Sequence, residues 1–250
     1  MNSIDTTCAI RRVNADTLTP IDILYGCDPV ALLESAMCAG KTGRYSIAVI
    51  DVAFSVYKKN GRYYRNENKK ENEISATCFF DALAKAPQYI HDDTYDIAFP
   101  LPTGGVGFIG YECVGEMEPA VRVHPSLPDD YEAYMIFGRT FIIFDHLHHE
   151  CICLAVRYED ETIDCAHLCE KLVGHVTELP HTSYKSTYGG SHLIAADAHE
   201  RTNFINNVCY IKSEIEKGNL LQCVLSRTCQ IETDLSPKYA YRLLRRHIPS

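Results

Sequence analysis

Glu34 and Ser35 set a carboxylate beside a hydroxyl at the end of an apolar run, Val30 to Leu33. Such a pair suits a ligand ammonium and a short polar partner, although on pattern alone Glu34 reads as solvated and Ser35 as a strand end. His146, His148, His149, Cys151 and Cys153 offer metal-ligand atoms, but they straddle a turn and lack the pairwise spacing of structural zinc sites. Gly105, Gly107 and Gly110 in GGVGFIG form a formal GxGxxG. A dinucleotide site needs a strand before it and a helix after it; Pro100 and Pro102 interrupt the first, and Gly115 and Pro119 the second. Gln222, Ser226, Thr228 and Gln230 alternate along one face of an expected strand, Leu220 to Ile231, which they share with Leu220 and Val224. A polar sheet face either meets water or lines a cavity. No two acidic residues sit on adjacent expected strands in a Mg2+ arrangement, and no nucleophile has an evident base partner.

The elements that would carry these residues follow from apolar spacing. Phe204, Val208, Ile211 and Ile215 recur at helical spacing, with Asp197 and Glu200 as a capping box and Gly218 as the stop. The period then drops to two, with Leu221, Cys223, Leu225, Cys229 and Ile231 on the strand's apolar face and Arg227 as the exception. Nearer the start, Thr19-Pro20 opens a short helix through Ile23 and Leu24, and Ile47 to Ile50 is a short buried strand. Ala53 to Tyr57 and Arg62 to Arg65 flank Asn60-Gly61, a primed-turn hairpin. Residues 65–73 read as a solvated loop, and Ala76 to Ala86 as a helix with Phe79, Phe80 and Leu83 inward. Tyr134 to His146 and Cys151 to Tyr158 form a second hairpin, and Ile163 to Val176 a helix. Leu179 to Gly190 reads as a linker, which places a domain boundary near 190. Ser236-Pro237 caps a last helix through Ala240, Leu243 and Leu244. The two hairpins predict an α+β fold of twisted, mainly antiparallel sheets with outer helices.

Composition narrows the partners. At 250 residues, 46% of them hydrophobic, the chain can bury a sizeable core. Its net charge of −9, without a basic stripe or tail, argues against nucleic acid or anionic membrane as partner. Met1 to Val13 holds no run of signal-peptide length and no segment approaches a membrane span, so the cytoplasm is expected. The twelve cysteines form no CxxC pair and read as small buried hydrophobes of a reducing compartment.

The ordered set Phe204, Val208, Ile211, Lys212, Ile215, Gly218, Asn219, Gln222, Val224, Ser226 and Arg227 resembles the opening of the chorismate-binding region of anthranilate synthase component I, with Asn219 where that family usually has Asp. A second signature is similar too: Thr19-Pro20, then Leu32-Leu33-Glu34-Ser35, then Gly43-Arg44-Tyr45-Ser46. A third is the glycine-rich strand from Gly104, with Glu112 where Asp is commoner, and the Phe144-Asp145-His146 strand end is also family-like.

The resemblance implies an N-terminal region over 1–190 and the start of a chorismate-binding region over 191–250. It implies an enzyme that converts chorismate and ammonia to anthranilate and pyruvate, with glutamine as ammonia source through an amidotransferase subunit, component II. Mg2+ belongs to the complete family enzyme, and its glutamate ligands and acid–base groups fall in family sequence that follows the position of Ser250. No catalytic or metal residue is therefore expected in this chain, which needs the C-terminal half as a partner and is inactive alone. Glu34 and Ser35 match the family's inhibitor pocket for tryptophan. With half its walls, that pocket should bind tryptophan weakly or not at all. The scaffold is shared by aminodeoxychorismate synthase component I, although LLES followed by GRYS favours anthranilate synthase. A non-catalytic module that binds tryptophan or a partner is the third reading.

Overall fold

The computed structural model describes residues 7–35, 43–89, 99–118, 120–123, 130–159, 161–179, 190–194 and 198–247. The chain packs as two compact units, Met1–Thr182 together with Arg245–Ser250, and Ser183–Leu244.

The first unit contains β1 (Cys8–Asn14), α1 (Pro20–Gly26), β2 (Ala31–Leu33), β3 (Tyr45–Lys59), β4 (Arg62–Glu67), β5 (Lys70–Ile74), α2 (Phe79–Ala84), β6 (Val106–Ile109), α3 (Val114–Met117), β7 (Tyr131–Asp145), β8 (Glu150–Val156) and α4 (Cys165–Thr177). All eight strands join one sheet, and every pairing is antiparallel. Its spine is the pair of 15-residue strands β3 and β7. β2 and β4 occupy successive stretches of the free edge of β3, and β8 and β6 those of β7. β1 extends the sheet beyond β8, and β5 beyond β4. This is the α+β architecture expected from the hairpins.

Apolar cores cover both faces, which is why β7 and β8 read as continuous apolar runs. Phe54, Val56, Phe141, Ile143, Ile152 and Leu154 pack with Phe79 and Ala82 of α2 on one face. Ala48, Ile142, Phe144, Cys151, Cys153 and Ala155 pack on the other with Ile23 of α1 and Cys165, Cys169, Leu172 and Val176 of α4. Local chemistry ends the helices where expected. The Asp22 carboxylate accepts the Thr19 N–H at 2.8 Å at the start of α1, and Asp164 accepts the His167 N–H at 2.9 Å at the start of α4.

Several expectations change. Ile47 to Ile50 is the first part of the long β3, continuous with Ala53 to Tyr57. Residues 65–73 are no loop: β4 and β5 form a hairpin turning at Asn68 and Lys69, both at positive φ. An outer strand needs only backbone pairing, so its side chains are free to be charged and show no alternation. Phe80 is 44% exposed, because the short α2 turns only Phe79 and Ala82 fully inward.

The second unit holds β9 (Ser191–Leu193), α5 (Ala198–Glu216), β10 (Ile231–Thr233) and the helix α6 (Pro237–His247), of which Arg245 onward counts with the first unit. β9 and β10 pair antiparallel. Gly218, at φ +78°, ends α5 with its N–H on Ile215 O and the Asn219 N–H on Glu214 O. The expected strand Leu220 to Ile231 is contradicted: only Ile231–Thr233 is strand, and residues 220–230 run exposed apart from the half-buried Leu225, with Leu221 99% accessible. A strand exists by pairing, and among the described residues nothing pairs with 220–230 except Gln230 O, which accepts the Ile194 N–H. Most of the expected linker, Asp197 of the expected cap and the side chain of Glu200 lie outside what the structure describes.

Candidate functional site

β2 ends at Leu33, opposite Ile47 of β3, and β3 in turn sets Tyr45 opposite Asp145 of β7. Three segments distant in sequence therefore lie side by side, and the Glu34–Ser35 pair sits at their common end. The Ser35 N–H donates to Oγ of Ser46 at 3.0 Å, and that oxygen lies 2.7 Å from His146 Nε2. Ser46 is fully buried. Burial pushes the His146 pKa down, against the nearby carboxylates of Glu34 and Asp145, and it stays below the ordinary histidine value. The ring is therefore neutral at pH 7 and serves as a hydrogen-bond partner.

Glu34 is neither solvated nor idle. Its side chain is 3% exposed, and its carboxylate accepts from Arg245 Nε at 2.8 Å and from an Arg245 Nη on the other oxygen. The fork geometry is that of a bidentate arginine–carboxylate pair. The structure thus places Glu34 and Ser35 together, with one engaged through its side chain and the other through its backbone.

The histidine-rich turn is consumed by the same strand end. Asp145 accepts from Arg44 Nε at 3.0 Å and Nη2 at 2.6 Å, from the Leu147 N–H at 3.1 Å, and lies 2.8 Å from His148 Nδ1. Burial pushes this carboxyl upward, but the Arg44, His148 and Leu147 hydrogen bonds outweigh it and hold it well below the usual range. Cys151 and Cys153 point into the core beneath α4. Burial raises the neighbouring thiols, Cys165 to about 11 and Cys169 to about 12, so they are unreactive packing groups. Among the described residues no group of three or more His, Cys, Asp or Glu side chains could hold a metal ion.

A second polar cluster was invisible in the sequence. Lys58 Nζ lies 2.9 Å from Glu116 and also pairs with Glu132, all three side chains being 13% exposed or less. Glu116 accepts as well from Tyr63 OH at 2.8 Å and from the Phe79 N–H at 2.7 Å, and Glu132 from the Gly61 N–H at 2.7 Å. One lysine thus ties the β3–β4 hairpin, the start of α2, α3 and β7. A lysine in an alternating hairpin reads as solvated, and only the fold brings its partners near. The Ser46–His146 pair was equally hidden, although Ser at a central strand position was a signal.

Gly107 packs as the glycine-rich stretch implied: a Cβ there would fall 1.9 Å from Tyr134 O, so β6 lies against β7 without room for a side chain. β6 is antiparallel and leads into a 3-10 turn, Tyr111–Cys113, and the four-residue α3, which is no long helix whose N-terminus could hold a pyrophosphate. In the second unit the Asn219 Nδ2 donates to Glu214 at 2.7 Å, a bond that an aspartate could not make. Gln222, Ser226, Thr228 and Gln230 are exposed.

Known proteins match this arrangement over nearly the whole chain. A family model described as chorismate binding enzyme matches residues 33–250. Anthranilate synthase component 1 of Spirochaeta aurantia is 25% identical over 96% of this chain and 51% of its own length. The Bacillus subtilis protein of the same name is 25% identical over 96% of this chain and 50% of its own. The crystal structure of anthranilate synthase component I from Streptococcus pneumoniae TIGR4 superposes with a TM-score of 0.61 at 18% identity, covering 96% of this chain and 53% of that one. The chain therefore spans about half the length of the curated relatives it matches. With the family model covering most of its residues, the chain belongs to the chorismate binding enzyme family.

Proposed function

We propose that this chain corresponds to the N-terminal half of an anthranilate synthase large subunit, the enzyme that forms anthranilate and pyruvate from chorismate and ammonia. The observation that carries the reading is coverage: nearly the whole chain matches relatives named anthranilate synthase component 1, yet only about half of each. LLES followed by GRYS favours this over aminodeoxychorismate synthase component I. In this reading residues 1–190 are the N-terminal region and 191–250 open the chorismate-binding region. Glutamine-derived ammonia would come from an amidotransferase subunit, in the cytoplasm. Among the described residues no helix is long and apolar enough to cross a membrane.

Mg2+, which the family reaction uses, would find no group of three or more acidic or imidazole ligands among the described residues. No catalytic step is assigned to them. What this chain contributes is scaffold and one wall of an amino-acid pocket. Ser46 and His146 hold the Ser35 backbone, and a ligand ammonium would have to displace Arg245 from the buried Glu34 carboxylate, whose two oxygens it occupies. Tryptophan binding to the chain alone is accordingly weak or absent.

The test is an anthranilate fluorescence assay with chorismate, Mg2+ and excess ammonium. The chain alone should be inactive. Activity should appear when a second polypeptide is added that spans the part of the Spirochaeta aurantia protein beyond the match. Anthranilate from the chain alone, or none from the pair after both are shown to bind, contradicts the reading.

A further inference from the structure

We propose that a cavity between α4 and the β3–β7 pair is a second ligand site, and that it takes a small primary amine carrying an apolar body. The cavity measures about 540 Å3, within the range of small-molecule sites. It lies wholly in the first unit and neither Glu34 nor Ser35 lines it, so it stands whether or not those two residues bind tryptophan.

An irregularity in the sheet creates it. Val49 pairs with Phe141 and Asp51 with Thr140, so Ile50 is an extra residue on β3 and the ladder is broken there. In a regular strand Ile50 and Asp51 would face opposite sides; across the bulge both line the cavity. Bulges of this kind re-aim side chains next to functional sites. Thr140, 2% exposed, donates its hydroxyl to Asp51 Oδ2 at 2.7 Å. That bond fixes the carboxylate and leaves its other oxygen free of it. The bond satisfies the buried Thr140 hydroxyl and at the same time holds the exposed Asp51 carboxylate in one orientation at the cavity.

The opposite wall is one face of α4: Leu168, Lys171, Leu172, His175 and Glu178. Ile50, Leu168 and Leu172 give an apolar floor, and Cys27 joins it as a neutral thiol, pushed up by burial to about 11. Asp51 and Glu178 give the lining two carboxylates, and the C-terminal end of α4 adds the partial negative charge with which helix dipoles favour cations. Lys171 is the opposing charge, two helical turns or roughly 10 Å along the axis from Glu178. An ammonium on Asp51 with its apolar body across Leu168 and Leu172 satisfies both halves.

The experiment titrates 15N-labelled chain at pH 7 with phenethylamine and, separately, with 3-phenylpropionate, followed by amide chemical shifts. Phenethylamine should give saturable shifts confined to residues 50–51, 140 and 168–178. Its affinity should fall about tenfold or more in Asp51→Asn, which can still accept from Thr140 and so keeps the fold. Glu178→Gln should weaken it less, and Glu34→Gln not at all. No saturable shift, shifts centred elsewhere, equal binding of the anion, or undiminished affinity in Asp51→Asn would each overturn the assignment.

Discussion

At Lys58 a single side chain satisfies two buried carboxylates that in turn cap α2 and close the β3–β4 turn. Removing one partner of such a group strands the other charges in the core, which costs about 3–5 kcal/mol. Lys58→Ala should lower stability by that amount in urea unfolding, and Glu116→Gln by less, since the amide still accepts from the Phe79 N–H. Asp145 makes the corresponding case for pH. Its folded pKa is depressed, so its contribution is complete above the unfolded value, near 4, and is lost as pH falls below that. Urea midpoints should fall between about pH 4 and pH 2 in the parent, and Asp145→Asn should flatten that slope while lowering stability at pH 7. Neither cluster was legible in the sequence, because its members are separated by up to a hundred positions and only the register of β3 and β7 joins them. Glu34 and Ser35 were legible as a pair, but the arginine that engages Glu34 was not.

Among the elements, those with their own local chemistry could be read and those that depend on distant partners could not. Asn60-Gly61 specified its hairpin because both residues take positive φ, and Thr19-Pro20 specified α1. The end of β4 and all of β5 read as loop because this outer strand is charged and exposed and carries no apolar alternation. Residues 220–230 show the reverse error, an alternating pattern without a pairing partner. Glycines separate these two kinds of constraint. Gly61→Ala meets only a φ of +70° in open space and should cost about 1 kcal/mol. Gly107→Ala drives a Cβ to within 1.9 Å of the Tyr134 carbonyl and should cost more than about 3 kcal/mol, with loss of amide protection across β6. Equal costs in paired denaturation curves would show that β6 does not pack as described.

The whole molecule is uneven. The first unit has two apolar cores on one continuous, open sheet of antiparallel pairings, whereas the second leaves Leu221, Val224, Tyr210 and Ile231 largely exposed. Each large apolar side chain is worth about 1.5–3 kcal/mol when buried, so this surface is a strong drive toward association. In the proposed whole protein, the alternating segment Leu220 to Ile231, largely unpaired here, would join a sheet completed by the part of the relatives that this chain does not match. The measurement that tests this most directly is amide hydrogen exchange over residues 219–231, with and without a second polypeptide spanning the unmatched part of the Spirochaeta aurantia protein. Alone, these amides should exchange within seconds while those of β7 and β8 stay protected for hours. With the partner bound, alternate amides of 220–231 should become protected at least about a hundredfold, as a paired strand requires. Fast exchange that persists in a demonstrated complex would contradict the account, and so would protection already present in the chain alone.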